Sequence, residues 1–415
     1  MCQAERGILA HPLYGWGNFL DKDKHADGLR GIAAFTVFIS HFLLAFFPAG
    51  LVLLFPGVAG EGALVGKVEQ VINTPFLSLL WNGRFSVSVF FVLSGYVLTK
   101  AFVERGDPEI LRAMAAQRYL RLGIPVFFSV ALAFVLMTTV GYKIDGTLAL
   151  TSSAWLLSQK LPSGPDVWAA LREGLYGSMV TDQHYYNPAL WTMRMEFIGS
   201  MLIFAYRLIA WPGRRSILAA TIYVALIFFL VPQFWPFYLA FLLGSHIGEW
   251  PRPQRKVVAW FTAIAGLALA SVDASPMFSW MNALPLELET RFQLYCVLGG
   301  ALVVYGVRGG AFSLLLGSPF AQFLGRISFP FYLVHLPILF TVGCGTFNWL
   351  LQERLASRSA AASAAFVATS AVIIVVAWAF EKVIDTPAIR FAKFLFPTRR
   401  VAGATPSAGT RPVLA

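Results

Sequence analysis

The sequence predicts an all-α, polytopic membrane helix bundle of about ten transmembrane helices, with both termini cytoplasmic. Three observations carry that expectation. Of 415 residues, 57% are hydrophobic and 15% aromatic, but only 13% are charged, about half the charge that soluble domains carry. Ten apolar stretches approach the roughly 20 residues a spanning helix needs. Lysine and arginine are unevenly shared among the connecting segments: 23 fall on one side and seven on the other, while Arg84 and Arg194 lie in or near spans. The richer side, which holds both termini, is then the cytoplasmic one. Disorder and collagen-like repeats fail on the same composition.

Residues 1–28 form a cytoplasmic segment with Pro12, Trp16 and the charged run Asp21–His25, and without the apolar core of a signal peptide. The first span serves as the insertion signal instead. Spans are expected near 29–48, 84–103, 122–141, 189–209, 217–232, 236–249, 257–273, 292–308, 324–345 and 361–380. The fifth to eighth are short or closely spaced, so nine and eleven are the alternative counts. Leu51–Gly60 is apolar but short and holds Pro56, which suits a re-entrant or interfacial piece. The longest outside segment, Tyr142–Pro188, is too small for a separate catalytic domain. Its Trp155, Trp168, Tyr176, Tyr185 and Tyr186 serve either as sugar-facing surfaces or as an interfacial belt. Residues 29–395 make up the membrane domain, and 396–415 read as a disordered cytoplasmic tail.

The net charge of +11 sits at span ends, where it sets orientation, so nucleic acid is not an expected partner. Cys2, Cys296 and Cys344 are scattered. They offer neither metal-ligand spacing nor a disulfide framework.

Ionisable groups inside spans are costly and mark functional positions. Arg30 and His41 are eleven residues apart in the first span, almost three helical turns, so they share one face about 16 Å apart. His41 is a candidate proton acceptor near mid-membrane. The plainer alternative is a snorkelling arginine and a histidine bonded to a neighbouring helix. Arg118 and Arg121 are one turn apart at the start of the third span, and their planar forks suit phosphate. An ordinary positive-inside flank explains them too. Glu196 lies about seven residues into the fourth span and His335 deep in the ninth. A buried carboxylate needs a cation, a histidine or its own proton, and a Glu196–His335 pairing between helices is one of these options. Ser94 and Gly95, small residues in mid-span, favour close helix packing. With Tyr332, they are also the candidates for lining a substrate channel.

Together these segments resemble the acyltransferase-3 family of integral membrane O-acyltransferases. The pattern Arg-x10-His is carried by Arg30 and His41, FFxxSG-Tyr by Phe90–Tyr96, and Arg-x-x-Arg by Arg118 and Arg121. Leu-Trp-Thr-x-x-x-Glu ends at Glu196, and Tyr-Leu-x-His supplies Tyr332 and His335. The likeness extends over about residues 25–395. One departure is that Glu196 is followed by Phe197, where many relatives have a second acidic residue.

The resemblance implies a multi-pass protein of the cell membrane, a bacterial inner or plasma membrane, using acyl-CoA, such as acetyl-CoA, as co-substrate. No permanently bound cofactor and no metal are implied. Arg30, Arg118 and Arg121 would bind the donor's phosphates on the cytoplasmic side. The acceptor would be an extracytoplasmic glycan or lipid-linked sugar, with membrane lipids and glycan-assembly proteins as further partners. His41 would act either as general base or as an acyl-carrying nucleophile, with Glu196 or His335 orienting it. The rival classes are a proton-coupled transporter or flippase, which leaves the arginine pair unexplained, and a non-catalytic partner in polysaccharide assembly.

Overall fold

The computed structural model describes residues 23–161, 164–210, 216–230 and 233–397. Most of the N-terminal segment and the tail beyond 397 therefore lie outside the described residues. Each expected span falls on a helix: α1 Lys24–Phe46, α2 Gly83–Arg105, α3 Pro108–Thr139, α4 Trp191–Ala210, α5 Ser216–Leu230, α6 Trp235–Ile247, α7 Lys256–Ala270, α8 Leu288–Arg308, α9 Pro319–Gln352 and α10 Arg358–Leu395. Among the described residues, α1, α2, α3, α8, α9 and α10 are long and apolar enough to cross a membrane. Helix α4 has the length but carries Arg194, Glu196 and Arg207, while α5, α6 and α7 are short.

Local chemistry sets the helix starts. Asp23 caps α1 by accepting from the Ala26 amide, so the helix begins five residues before the apolar stretch expected from 29. Asp107 caps α3 and Pro108 occupies its first turn, so that helix begins well before 122. Arg118 and Arg121 are thus interior to a 32-residue helix, not at its start. Purely apolar counting misses this because caps and polar turns precede the hydrophobic run.

Successive helices alternate in direction, with Lys24 at what we call the near end. The closest packing is made by glycines. A side-chain carbon on Gly95 would lie 2.1 Å from the Phe241 carbonyl, and one on Gly244 would lie 2.0 Å from the Val92 carbonyl, so α2 and α6 touch backbone to backbone. Gly31 and Gly325 do the same for α1 and α9, where an added carbon would lie 2.4 Å from the Gly325 amide nitrogen. These two helices run parallel from that contact. His41 is ten residues beyond Gly31 and His335 ten beyond Gly325, an equal rise of about 15 Å. The two imidazoles arrive at one level.

The far end is closed by the segments flanking α1. Arg358 donates to Glu69 Oε1 and to the Phe46 carbonyl, both at 2.7 Å. Arg84 is bidentate to Glu289 and also bonds the Leu54 carbonyl. Leu51–Gly60 packs against the far end, with Leu51 and Leu54 buried, and Gly60 and Ala154 donate backbone bonds to Ser152 and Val58, tying it to the Tyr142–Pro188 segment.

Candidate functional site

His41 and His335 form a hydrogen-bonded pair, with Nδ1 of the first 2.9 Å from Nε2 of the second. His335 Nδ1 lies 2.6 Å from the Tyr332 carbonyl. A carbonyl only accepts, so His335 carries its proton on Nδ1 and its Nε2 is an acceptor. His41 must then donate from Nδ1. That leaves the lone pair of a neutral His41 on Nε2, the nitrogen a general base needs. The arrangement is the base-plus-orienter logic of acyl-transfer sites, with an imidazole in the orienting position. Trp155 stacks on the other side of His41, rings 5.2 Å apart and inclined by 16°.

The pair lies beside a cavity of about 360 Å³ at the far end. Its lining includes His41, Trp155, Tyr185, Pro188, Trp191 and Leu336. Ser158, Gln159, Lys160 and His184 complete the rim. Of the five aromatics the sequence singled out, Trp155 and Tyr185 line the cavity, Trp168 is 70% exposed, Tyr176 is exposed, and Tyr186 is buried.

Glu173, absent from the sequence reading, shapes this rim. Its buried carboxylate accepts from the backbone amides of Tyr185, Tyr186 and Asn187. Burial pushes the carboxyl above its ordinary range, against the pull of those three donors. Asn187 then donates to the Leu333 carbonyl at 2.7 Å, locking the rim to α9 two residues from His335. Glu173 is one of four acidic residues in the Tyr142–Pro188 segment, with Asp145, Asp166 and Asp182, and each reads equally as a solvated charge.

Glu196 is elsewhere. The expected Glu196–His335 pair does not form: the Glu196 carboxylate pairs with the Arg118 guanidinium and accepts from Ser94 Oγ at 2.7 Å. Arg118 Nε donates to Ser200 Oγ at 2.8 Å. An arginine is the stronger partner for a buried carboxylate because its fork meets both charge and hydrogen-bond demand. Among the described residues it is His335, and not Glu196, that hydrogen-bonds His41. Gly95 faces α6 and not a channel, because its missing side chain is what lets the Phe241 carbonyl approach. Ser94 is taken up by Glu196. Tyr332 is buried as scaffold, its hydroxyl bonded to Ala189 and Thr192.

The basic cluster does assemble. Arg121 faces the charges of Arg118, Arg30 and Asp385. Arg30 also bonds Asp27 at 3.2 Å. Of the three arginines, Arg118 is the one with a carboxylate held tightly against it.

Fold and site define a helical membrane protein with a hydrogen-bonded histidine pair beside a ligand-sized cavity. The chain belongs to the acyltransferase-3 family, whose profile, described as an acyltransferase domain, matches residues 24–382. It is 25% identical to the O-acetyltransferase PaAT-1 of Phomopsis amygdali over 76% of this chain and 72% of that protein. It is 22% identical to the acyltransferase clz18 of Cochliobolus lunatus, over 91% of this chain and 96% of the other. The acyltransferase R4 of a Phoma species is also 22% identical, over 90% of this chain and 95% of its own length. No solved structure matches the chain. It is an acyltransferase.

Proposed function

We propose that this protein moves an acyl group, acetyl in the simplest case, from cytoplasmic acyl-CoA to a hydroxyl of an acceptor held in the far-end cavity. The His41–His335 pair at that cavity carries the reading. His41 Nε2 takes the acceptor's hydroxyl proton as the oxygen attacks the thioester carbonyl. The carbon–sulfur bond breaks, and the leaving thiolate takes the proton back from His41. Through these steps His335 holds the Nδ1 hydrogen of His41, and Trp155 presents its π face to the imidazolium that forms.

On this reading the near end is cytoplasmic, and Arg30, Arg118 and Arg121 receive the donor's phosphates from that side. The 23-to-seven charge distribution and the mutual proximity of the three arginines support this. The far end is extracytoplasmic in a cell membrane, and the acceptor is a glycan, a lipid-linked sugar or a related alcohol. A proton-relay transporter fits less well, since its expected carboxylate, Glu196, is engaged by Arg118.

The test is acetyl-CoA-dependent acylation of acceptors extracted from membranes, using purified protein and mass spectrometry. His41→Ala is expected to insert and fold normally while losing at least about 100-fold in turnover. Wild-type turnover in that variant removes His41 from the chemistry.

A further inference from the structure

The far-end cavity has basic side chains in its lining. Among the described residues on its wall these are His41, Lys160 and His184, each cationic when protonated, and no carboxylate joins them. Trp155 and Trp191 supply aromatic faces on the same wall. We propose that the acceptor is an acidic hydroxyl compound, bearing a carboxylate or phosphate that Lys160 and His184 bind while its hydroxyl reaches His41. This rests on the acyl-transfer reading, because it takes the cavity as the acceptor site.

Two local observations point to the anion. Lys160 Nζ bonds Asp145 at 2.7 Å, but the two side chains are 46% and 76% exposed. An exposed pair of this kind is weakly held and exchanges readily for a carboxylate arriving in the cavity. His184 Nδ1 is buried without a hydrogen-bond partner, its nearest carboxylate being Asp182 at 3.9 Å, beyond bonding reach. An acceptor oxygen that displaces Asp145 from Lys160 also pairs that atom once the partly exposed His184 ring turns toward the cavity. A neutral sugar gives the ammonium no counter-charge.

The experiment uses the full chain in phosphatidylcholine nanodiscs, which avoids sugar-headed detergents, and titration calorimetry with two probes. Methyl β-D-glucuronide and methyl β-D-glucoside share a ring and differ by a carboxylate. The glucuronide is expected to bind about tenfold more tightly, as a charge-assisted hydrogen bond implies. Lys160→Gln should abolish that preference, and Lys160→Arg should keep most of it. Equal binding, preference for the glucoside, binding of neither probe, or a preference surviving Lys160→Gln would each overturn the proposal. Calorimetry needs no acyl transfer, so this outcome is independent of whether acetyl-CoA supports turnover.

Discussion

Replacing His335 with leucine isolates the orienting step. The side chain is 1% exposed, so leucine keeps the packing while removing the acceptor 2.9 Å from His41 Nδ1. In the transition state His41 is an imidazolium, and a hydrogen bond to a charged donor contributes about 1.5–3 kcal/mol. At about 1.4 kcal/mol per tenfold in rate, kcat should fall roughly 10- to 150-fold. His335→Gln offers a side-chain oxygen in the same region and should recover part of the loss. Initial rates against acyl-CoA concentration measure this, with a melting curve to show that each variant is folded. The donor's KM should stay constant, because the arginine cluster contains neither histidine. A His335→Leu enzyme within about threefold of wild type in kcat would refute the tautomer argument.

Three further outcomes follow from other parts of the molecule. Glu196→Ala strands the Arg118 guanidinium, where the paired side chains are 8% and 13% exposed, and should cost about 3–5 kcal/mol. The double variant Arg118→Met, Glu196→Met should regain most of that in thermal melting, and a Glu196→Ala protein as stable as wild type would show the pair to be dispensable. Glu173→Gln places an amide donor against backbone donors and should raise the acceptor's KM severalfold at constant donor KM. Because burial raises the Glu173 carboxyl, its contribution to stability is greatest in acid and declines as pH rises through the folded-state value, a slope the glutamine variant should lack. Of cysteines at Glu61 and Glu104, both exposed, impermeant maleimide should label the first in intact cells and the second only after permeabilisation; the opposite pattern would reverse the proposed sidedness, and labelling of both in intact cells would refute the crossing between them.

The helices were legible because lipid imposes a length and a composition that a chain shows directly, as in α2 and α8. Arg30 and His41 were legible as a pair because one helix carries both. What stayed hidden depends on a second helix. His335 was visible as a buried histidine, but its meeting with His41 comes from the Gly31–Gly325 contact, which no local pattern announces. Glu196 needed a cation, and Arg118 supplied it from a different span, 78 residues away in sequence. Glu173 was missed because its partners are backbone amides, which carry no mark in a sequence.

The stacking of Trp155 on His41 gives the protein a built-in optical gauge. Imidazolium quenches indole emission far more strongly than neutral imidazole does, so light from Trp155 dims when its neighbour gains a proton. The chain has 12 tryptophans, yet subtracting a Trp155→Phe spectrum isolates the one lying 5.2 Å from the ring of interest. Stopped-flow recording of that difference, with acyl-CoA and an acceptor mixed in, would follow the charge state of His41 within a single turnover without a label.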